Sequence, residues 1–210
     1  MMEKTVEKKQ IKIAVFVSGG GTNLQALIDA EKRGEIKSGK LSLVISNNPS
    51  ADALTRASEN GIKTLVISKK TEGSKEAMEE AMVRTLTENG IDLIVLAGFM
   101  CILSADFTRR YDKRILNIHP SLIPSFCGEG FYGLHVHEAA LQKGVKVTGA
   151  TVHYVNEVPD GGEIILQKAV NVEEGDTPEI LQKRVMEQAE WIILPAAAEL
   201  VSKKILEGKA

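Results

Sequence analysis

Ile11-Lys12-Ile13-Ala14-Val15-Phe16-Val17-Ser18-Gly19-Gly20-Gly21-Thr22-Asn23 is the stretch that decides the fold. Its first seven residues are nearly all apolar, the pattern of a strand buried on both faces. The run ends in Ser18 and three glycines, and an amphipathic helix follows with Leu24, Leu27 and Ile28 as its apolar stripe. A glycine-rich turn between strand and helix lets backbone N–H groups face an anion, and the helix dipole adds to the attraction. Gly20, Gly21, Thr22 and Asn23 are therefore candidates to hold a phosphate; the other reading of the glycines is a tight βα turn without a ligand.

A dinucleotide is excluded twice. The GxGxxG pattern needs a third glycine where Leu24 stands, and the second strand, Leu41 to Ser46, ends in Asn47-Asn48-Pro49 with no acidic residue for a ribose hydroxyl. No Lys-Ser or Lys-Thr follows the glycines, which excludes a Walker loop. A small phosphomonoester fits better.

Strands and helices then alternate. Helices are expected over about residues 52–60 and 74–89, strands over 63–67 and 92–97. This order predicts an α/β fold: a doubly wound, mostly parallel central sheet with helices on both faces. Ligands of such sheets sit at the carboxyl ends of the strands. Gly98-Phe99-Met100-Cys101-Ile102-Leu103 follows the fourth strand and is mostly apolar, suited either to core filling or to a slot for a flat heterocycle.

The fifth strand, Arg114 to Ile118, runs into Asn117-Ile118-His119-Pro120-Ser121. Alternation points Asn117 and His119 to one side and Ile118 into the core. An amide and an imidazole aimed at one point can donate hydrogen bonds to a developing oxyanion. Pro120 keeps His119 extended and stops the strand. The loop beyond it, with three glycines and three aromatics up to Gly133, reads as a flap over a pocket or as a long surface loop. A helix is expected at about 134–143. His135 and His137 lie near its start, two apart, which is not a one-face spacing for a metal.

The C-terminal part is β-rich and mixed, with strands at 148–155 and 163–172. Their link contains Asp160-Gly161-Gly162. Asp160 suits a tight turn for local reasons; the other reading is a carboxylate that reaches His119 from across a cleft, raises its pKa and keeps it cationic near pH 7. His153 is expected as a packed or hydrogen-bonded structural residue. The last helix starts at Asp176 as N-cap, with Pro178 and Glu179 behind it, bends near Pro195 and continues to about Glu207.

Composition sets the outer bounds. The 210 residues suit one domain, expected at 11–210 behind a loose tail at 1–10. With 26 basic and 28 acidic residues the net charge is -2, which gives no footprint for nucleic acid. No apolar run approaches the roughly 18 residues of a membrane span. Cys101 and Cys127 form no CxxC pattern, and a reducing, cytoplasmic setting is expected.

Ser18-Gly19-Gly20-Gly21-Thr22-Asn23-Leu24-Gln25, Leu96-Ala97-Gly98-Phe99-Met100, Asn117-Ile118-His119-Pro120-Ser121-Leu122-Ile123-Pro124 and Asp160-Gly161-Gly162 together closely resemble the folate-dependent phosphoribosylglycinamide formyltransferases. The similarity covers about residues 11 to 200. It implies the formyltransferase fold, and formyl transfer from 10-formyltetrahydrofolate, as cosubstrate, to glycinamide ribonucleotide in purine synthesis, without a metal. It implies that Asn117, His119 and Asp160 are catalytic. It implies that Gly21, Thr22, Asn23 and Leu24 hold the ribonucleotide, and that Met100, Cys101, Ile102 and Leu103 line the folate slot, with Lys75 near the benzoyl-glutamate end. Partners are then small molecules, with neither nucleic acid nor membrane, and the chain is expected as a monomer or weak homodimer.

Four positions depart from the family's pattern. Cys101 stands where Arg is frequent, and Lys75 replaces a frequent Arg, losing the bidentate fork. The flap from Phe126 to Gly133 is longer than in shorter members. An acidic residue that helps bind the ribonucleotide aligns near Ala189, which leaves Glu187 and Glu190 as substitutes. Formyltetrahydrofolate hydrolase belongs to the wider group and is the alternative reading. A noncatalytic binding module would not need Asn117, His119 and Asp160 together, and a zinc hydrolase on His119, His135 and His137 has no supporting spacing.

Overall fold

The structure is a computed structural model, and it describes residues 10–209. Apart from Gln10, the tail expected at 1–10 lies outside the described residues. Among the described residues, seven strands form one sheet: β1 (Ile11–Val17), β2 (Gly39–Ser46), β3 (Lys63–Val66), β4 (Leu93–Leu96), β5 (Ile115–His119), β6 (Val147–Tyr154) and β7 (Ile164–Asn171), in the order β3-β2-β1-β4-β5-β6-β7. The first five are parallel to one another; β6 pairs antiparallel with β5, and β7 antiparallel with β6. The chain winds outward from β1 to β3, then returns to β4 on β1's other side. The switch point, where the winding reverses direction, falls between β1 and β4.

The near-continuous apolar run of β1 is explained by helices on both faces. Ile13, Val15 and Val17 pack with α1 (Thr22–Lys32) and α8 (Trp191–Leu206), through Leu24, Leu27, Leu194, Ala198 and Val201. Ala14 and Phe16 face the other way, onto α4 (Lys75–Asn89) and α5 (Ala105–Arg110), through Met78, Met82, Leu86 and Phe107. Each large side chain buried in this way stabilises the fold by roughly 1.5–3 kcal/mol relative to leaving it in water. The remaining helices are α2 (Asp52–Glu59), α3 (Lys69–Glu72), α6 (Leu134–Lys143) and α7 (Pro178–Val185).

Three local features differ from the sequence expectation. The six-residue α5 is new; it is capped by the Ser104 hydroxyl, which accepts from the Phe107 amide at 3.1 Å. The last helical region is capped by Thr177 rather than Asp176. The Asp176 carboxylate is taken by the Arg184 guanidinium, with Nη2 to Oδ1 at 2.7 Å, and by the Glu173 amide at 2.8 Å. The departure from α geometry comes before the bend expected near Pro195: Met186–Glu190 is a five-residue π-helical segment between α7 and α8.

Candidate active site

β5 delivers Asn117 and His119 to the carboxyl edge of the sheet, and antiparallel pairing with β6 sets His153 opposite Asn117 and Thr151 opposite His119. The three polar residues of this patch other than Asn117 are buried, His119 at 4% exposure. Thr151 anchors the chain leaving the site: its hydroxyl donates to the Ser121 carbonyl at 2.7 Å and accepts the Ile123 amide at 3.1 Å. Asp160 enters from the β6–β7 link in a left-handed conformation, φ 54°, which Asp tolerates better than most residues. The two glycines behind it are there for space. A Cβ on Gly161 would lie 2.7 Å from Val158, and one on Gly162 only 1.7 Å from the Tyr154 carbonyl oxygen.

The three expected catalytic residues meet. Asp160 Oδ2 lies 3.4 Å from His119 Nδ1, and Oδ1 lies 3.4 Å from Asn117 Nδ2. His153, expected as a packed or hydrogen-bonded residue, is buried and hydrogen-bonded, and it lies beside them. Its Nε2 is 3.2 Å from Asn117 Nδ2 and 3.4 Å from Asp160 Oδ1. The flap closes the group: the Gly128 amide donates to Asp160 Oδ2 at 2.9 Å, and His119 Nε2 lies 2.8 Å from the Phe126 carbonyl oxygen. A carbonyl only accepts, so His119 carries a proton on Nε2; by the same reasoning His153 carries one on Nδ1, which faces the Tyr154 carbonyl at 2.8 Å.

The charge state expected for His119 needs correction. Burial is the largest influence on its pKa and sets it below the ordinary value. Asp160 and the Phe126 carbonyl pull it upward, but burial, with His153 beside it, prevails. The sequence names a charge partner and is silent on desolvation, and desolvation wins. Burial alone would raise Asp160; His153, His119 and the Gly128 amide outweigh it and hold the carboxyl below its usual range.

The glycine loop faces the same edge. Gly21 is left-handed, φ 75°, and caps α1 without any side-chain hydrogen bond. The first helical bond is Gln25 N to Gly21 O, so the amides of Thr22, Asn23 and Leu24 have no acceptor within the helix. A Cβ at Gly21 would stand 2.6 Å from Ala53 Cβ, whereas one at Gly20 would meet nothing within 4 Å. Space is open above Gly20 and closed behind Gly21. The Leu24 side chain is fully buried in the core, so its expected role reduces to its amide. Ser18 ties the loop to its surroundings: its hydroxyl donates to Asn47 Oδ1 at 2.7 Å and accepts the Met100 amide at 2.8 Å.

Of the two glutamates left open, Glu190 reaches the loop. Its Oε2 accepts from Asn23 Nδ2 at 2.6 Å, and burial pushes its pKa up to about 7, with the Asn23 bond working against that rise. Glu187 pairs outward with Lys183 at 3.8 Å. Sequence spacing does not choose between them because the π segment changes the helical phase there.

The expected folate residues divide. Met100 and Ile102 are exposed at 58% and 63%, and Cys101 is half-buried. Leu103 is buried and packs in the core on the α4 side. Lys75, at the start of α4, lies 4.0 Å from the buried Glu79 carboxylate, which accepts the Ser104 amide at 2.8 Å. A cleft of about 730 Å³ between α4 and α5 shares only Lys75 with the expected site. His135 pairs with Glu138 on the surface at 3.0 Å, and His137 is buried with neither ring nitrogen bonded and its pKa pushed down to about 4, chiefly by burial. Among the described residues, no three His, Cys, Asp or Glu side chains are grouped to hold a metal.

Comparison with known proteins agrees with this fold. The pattern of the formyl transferase family matches residues 11–197. The chain is 46% identical over 196 residues to the human trifunctional purine biosynthetic protein adenosine-3, covering 93% of this chain and 19% of that protein. It is 45% identical to the Gallus gallus protein of the same name, again spanning 19% of its length. It is 42% identical to phosphoribosylglycinamide formyltransferase of Haemophilus influenzae, covering 94% of this chain and 88% of that one. The crystal structure of glycinamide ribonucleotide transformylase 1 from Symbiobacterium toebii superposes with a TM-score of 0.86 at 41% identity, over 92% of this chain and 88% of that chain.

Two outcomes follow from this geometry. Gly20→Ala is expected to leave the thermal midpoint nearly unchanged while weakening binding of a ribose phosphate at least about tenfold, whereas Gly21→Ala costs on the order of 1–3 kcal/mol of stability, read by denaturant unfolding. Asp160→Asn removes the strongest upward pull on His119, so the ring is expected to titrate lower still when followed by NMR; an unchanged titration would break the coupling.

Proposed function

The chain belongs to the formyl transferase family, and on that premise we propose that it transfers the formyl group of 10-formyltetrahydrofolate to the amine of 5-phosphoribosylglycinamide. The observation that carries this reading is the meeting of Asn117, His119 and Asp160 at the end of β5, on the same sheet edge as an uncapped, open glycine loop. The loop amides and Asn23 hold the phosphate end of the ribonucleotide, with Glu190 behind Asn23. The folate lies against Met100 and Ile102, with backbone groups of 100–103 reading the ring edge and Lys75 toward its carboxylate end. The cosubstrate supplies the electrophilic formyl carbon.

Each residue then has one task. As the amine attacks, the formyl oxygen gains negative charge, and the Asn117 amide and the His119 Nε2–H stabilise it. Asp160 does not hold His119 cationic in the free protein. It offsets part of the burial effect, so a positive ring becomes accessible when negative charge develops beside it. His119, or a water beside Asp160, relays the proton from the incoming amine to the departing folate nitrogen. The unpaired Cys101 and Cys127 take no part. Their free thiols favour a reducing, cytoplasmic compartment, and among the described residues no helix is long and apolar enough to cross a membrane. We read residues 11–210 as one domain, active as a monomer or weak homodimer.

The test is an absorbance assay with 10-formyltetrahydrofolate. Folate product is expected only when 5-phosphoribosylglycinamide is present; equal formate release without it would mean a hydrolase. Losing one oxyanion donor typically costs about 2.7–4 kcal/mol, so Asn117→Ala and His119→Ala should each lower turnover roughly a hundredfold or more. Near-normal turnover in both variants would remove them from the catalytic set.

A further inference from the structure

We propose that the flap is a self-inhibitory latch, in which the Phe126 carbonyl oxygen occupies the place on His119 Nε2–H that the formyl oxygen must take. This inference rests on His119 being an oxyanion donor, as proposed above. The ring has one Nε2–H, and at 2.8 Å it is fully engaged by the Phe126 carbonyl. A second acceptor cannot use the same proton at full strength, so carbonyl and formyl oxygen exclude each other. The other donor is also engaged, since Asn117 Nδ2 faces both His153 Nε2 and Asp160 Oδ1. Without substrate, the site is satisfied by its own chain.

Two features hold the latch shut and two prepare it to open. The Gly128 amide bonds Asp160, and the rings of Phe126 and Phe131 pack edge to face at 6.3 Å. Against this, Phe126 sits at φ 50°, a conformation in which its own Cβ is crowded. The segment that follows is also loosely enclosed: a Cβ on Gly128, Gly130 or Gly133 would meet nothing within 4 Å. Folate entry displaces the Phe126 carbonyl, and the strained residue relaxes as it leaves. The groups facing His119 are Asp160, His153 and the buried His137, and none of them is on the flap. Opening therefore changes the ring's hydrogen bond without removing a charge.

Phe126→Gly and Phe126→Ala separate this device from a merely structural contact. Both lose the aromatic ring, but only glycine accepts a positive φ without cost. The latch is therefore tighter in the glycine variant. Its dissociation constant for 10-formyltetrahydrofolate, measured by calorimetry without the ribonucleotide, is expected to be at least about fivefold weaker than that of the alanine variant. The kcat of the two variants at saturating folate should agree. In the free proteins, NMR titration should place the His119 pKa higher in the glycine variant, because the Phe126 carbonyl raises it. Equal dissociation constants, or equal His119 titrations, would overturn the latch. Wild-type protein that transfers no formyl group, while the Gly and Ala variants keep this order, would refute the function above and leave the latch standing.

Discussion

One partly buried carboxylate holds the site together. Asp160 is reached by His119 from β5, by His153 from β6, by the Asn117 amide and by the Gly128 N–H of the flap. A carboxylate taken out of water is tolerated only when its lone pairs are met by donors or positive charge. The groups around it come from three separate stretches of chain, so the sheet must be assembled in register before Asp160 is enclosed. The turn that carries it is equally constrained, because Gly162 rests against the Tyr154 carbonyl with no room for a side chain.

The same burial sets the chemistry of the neighbours. His119 lies between an anion that favours its charged form and an interior that disfavours it, and the interior prevails. A ring in that balance responds to small changes: charge arriving on a bound oxygen, or a carbonyl arriving on Nε2. Polar clusters of this kind are stabilising only while every member is paired, which ties the flap, β5 and β6 into one unit.

Much of this was legible in the residues. The nearly all-apolar β1, followed by Ser18 and three glycines, reads as a buried strand turning into a helix, and the structure shows that unit. Asn117 and His119 share a side because strands alternate. His153 was not legible as their companion, because its place depends on how β6 registers against β5, a pairing between residues 36 apart in sequence. The six residues of α5 are too few for a period to show. Asp176 and Thr177 are both good caps, and only the position of Arg184 decides which is free to act as one. Leu24 and Leu103 were assigned to ligands by motif position, but their side chains belong to the two cores.

The π segment at Met186–Glu190 works as a gear shift between two rotational settings of one continuous rod. Stepping about 100° per residue along an uninterrupted helix places Leu181 and Val185 on one side and Leu194, Ala198 and Val201 nearly opposite them. All five are nonetheless fully buried in the same core. The wider turn brings in one additional residue and resets the azimuth between the two halves. α7 and α8 can therefore each seat their own apolar stripe, and the carboxylate that swings inward at the junction is the one at position 190.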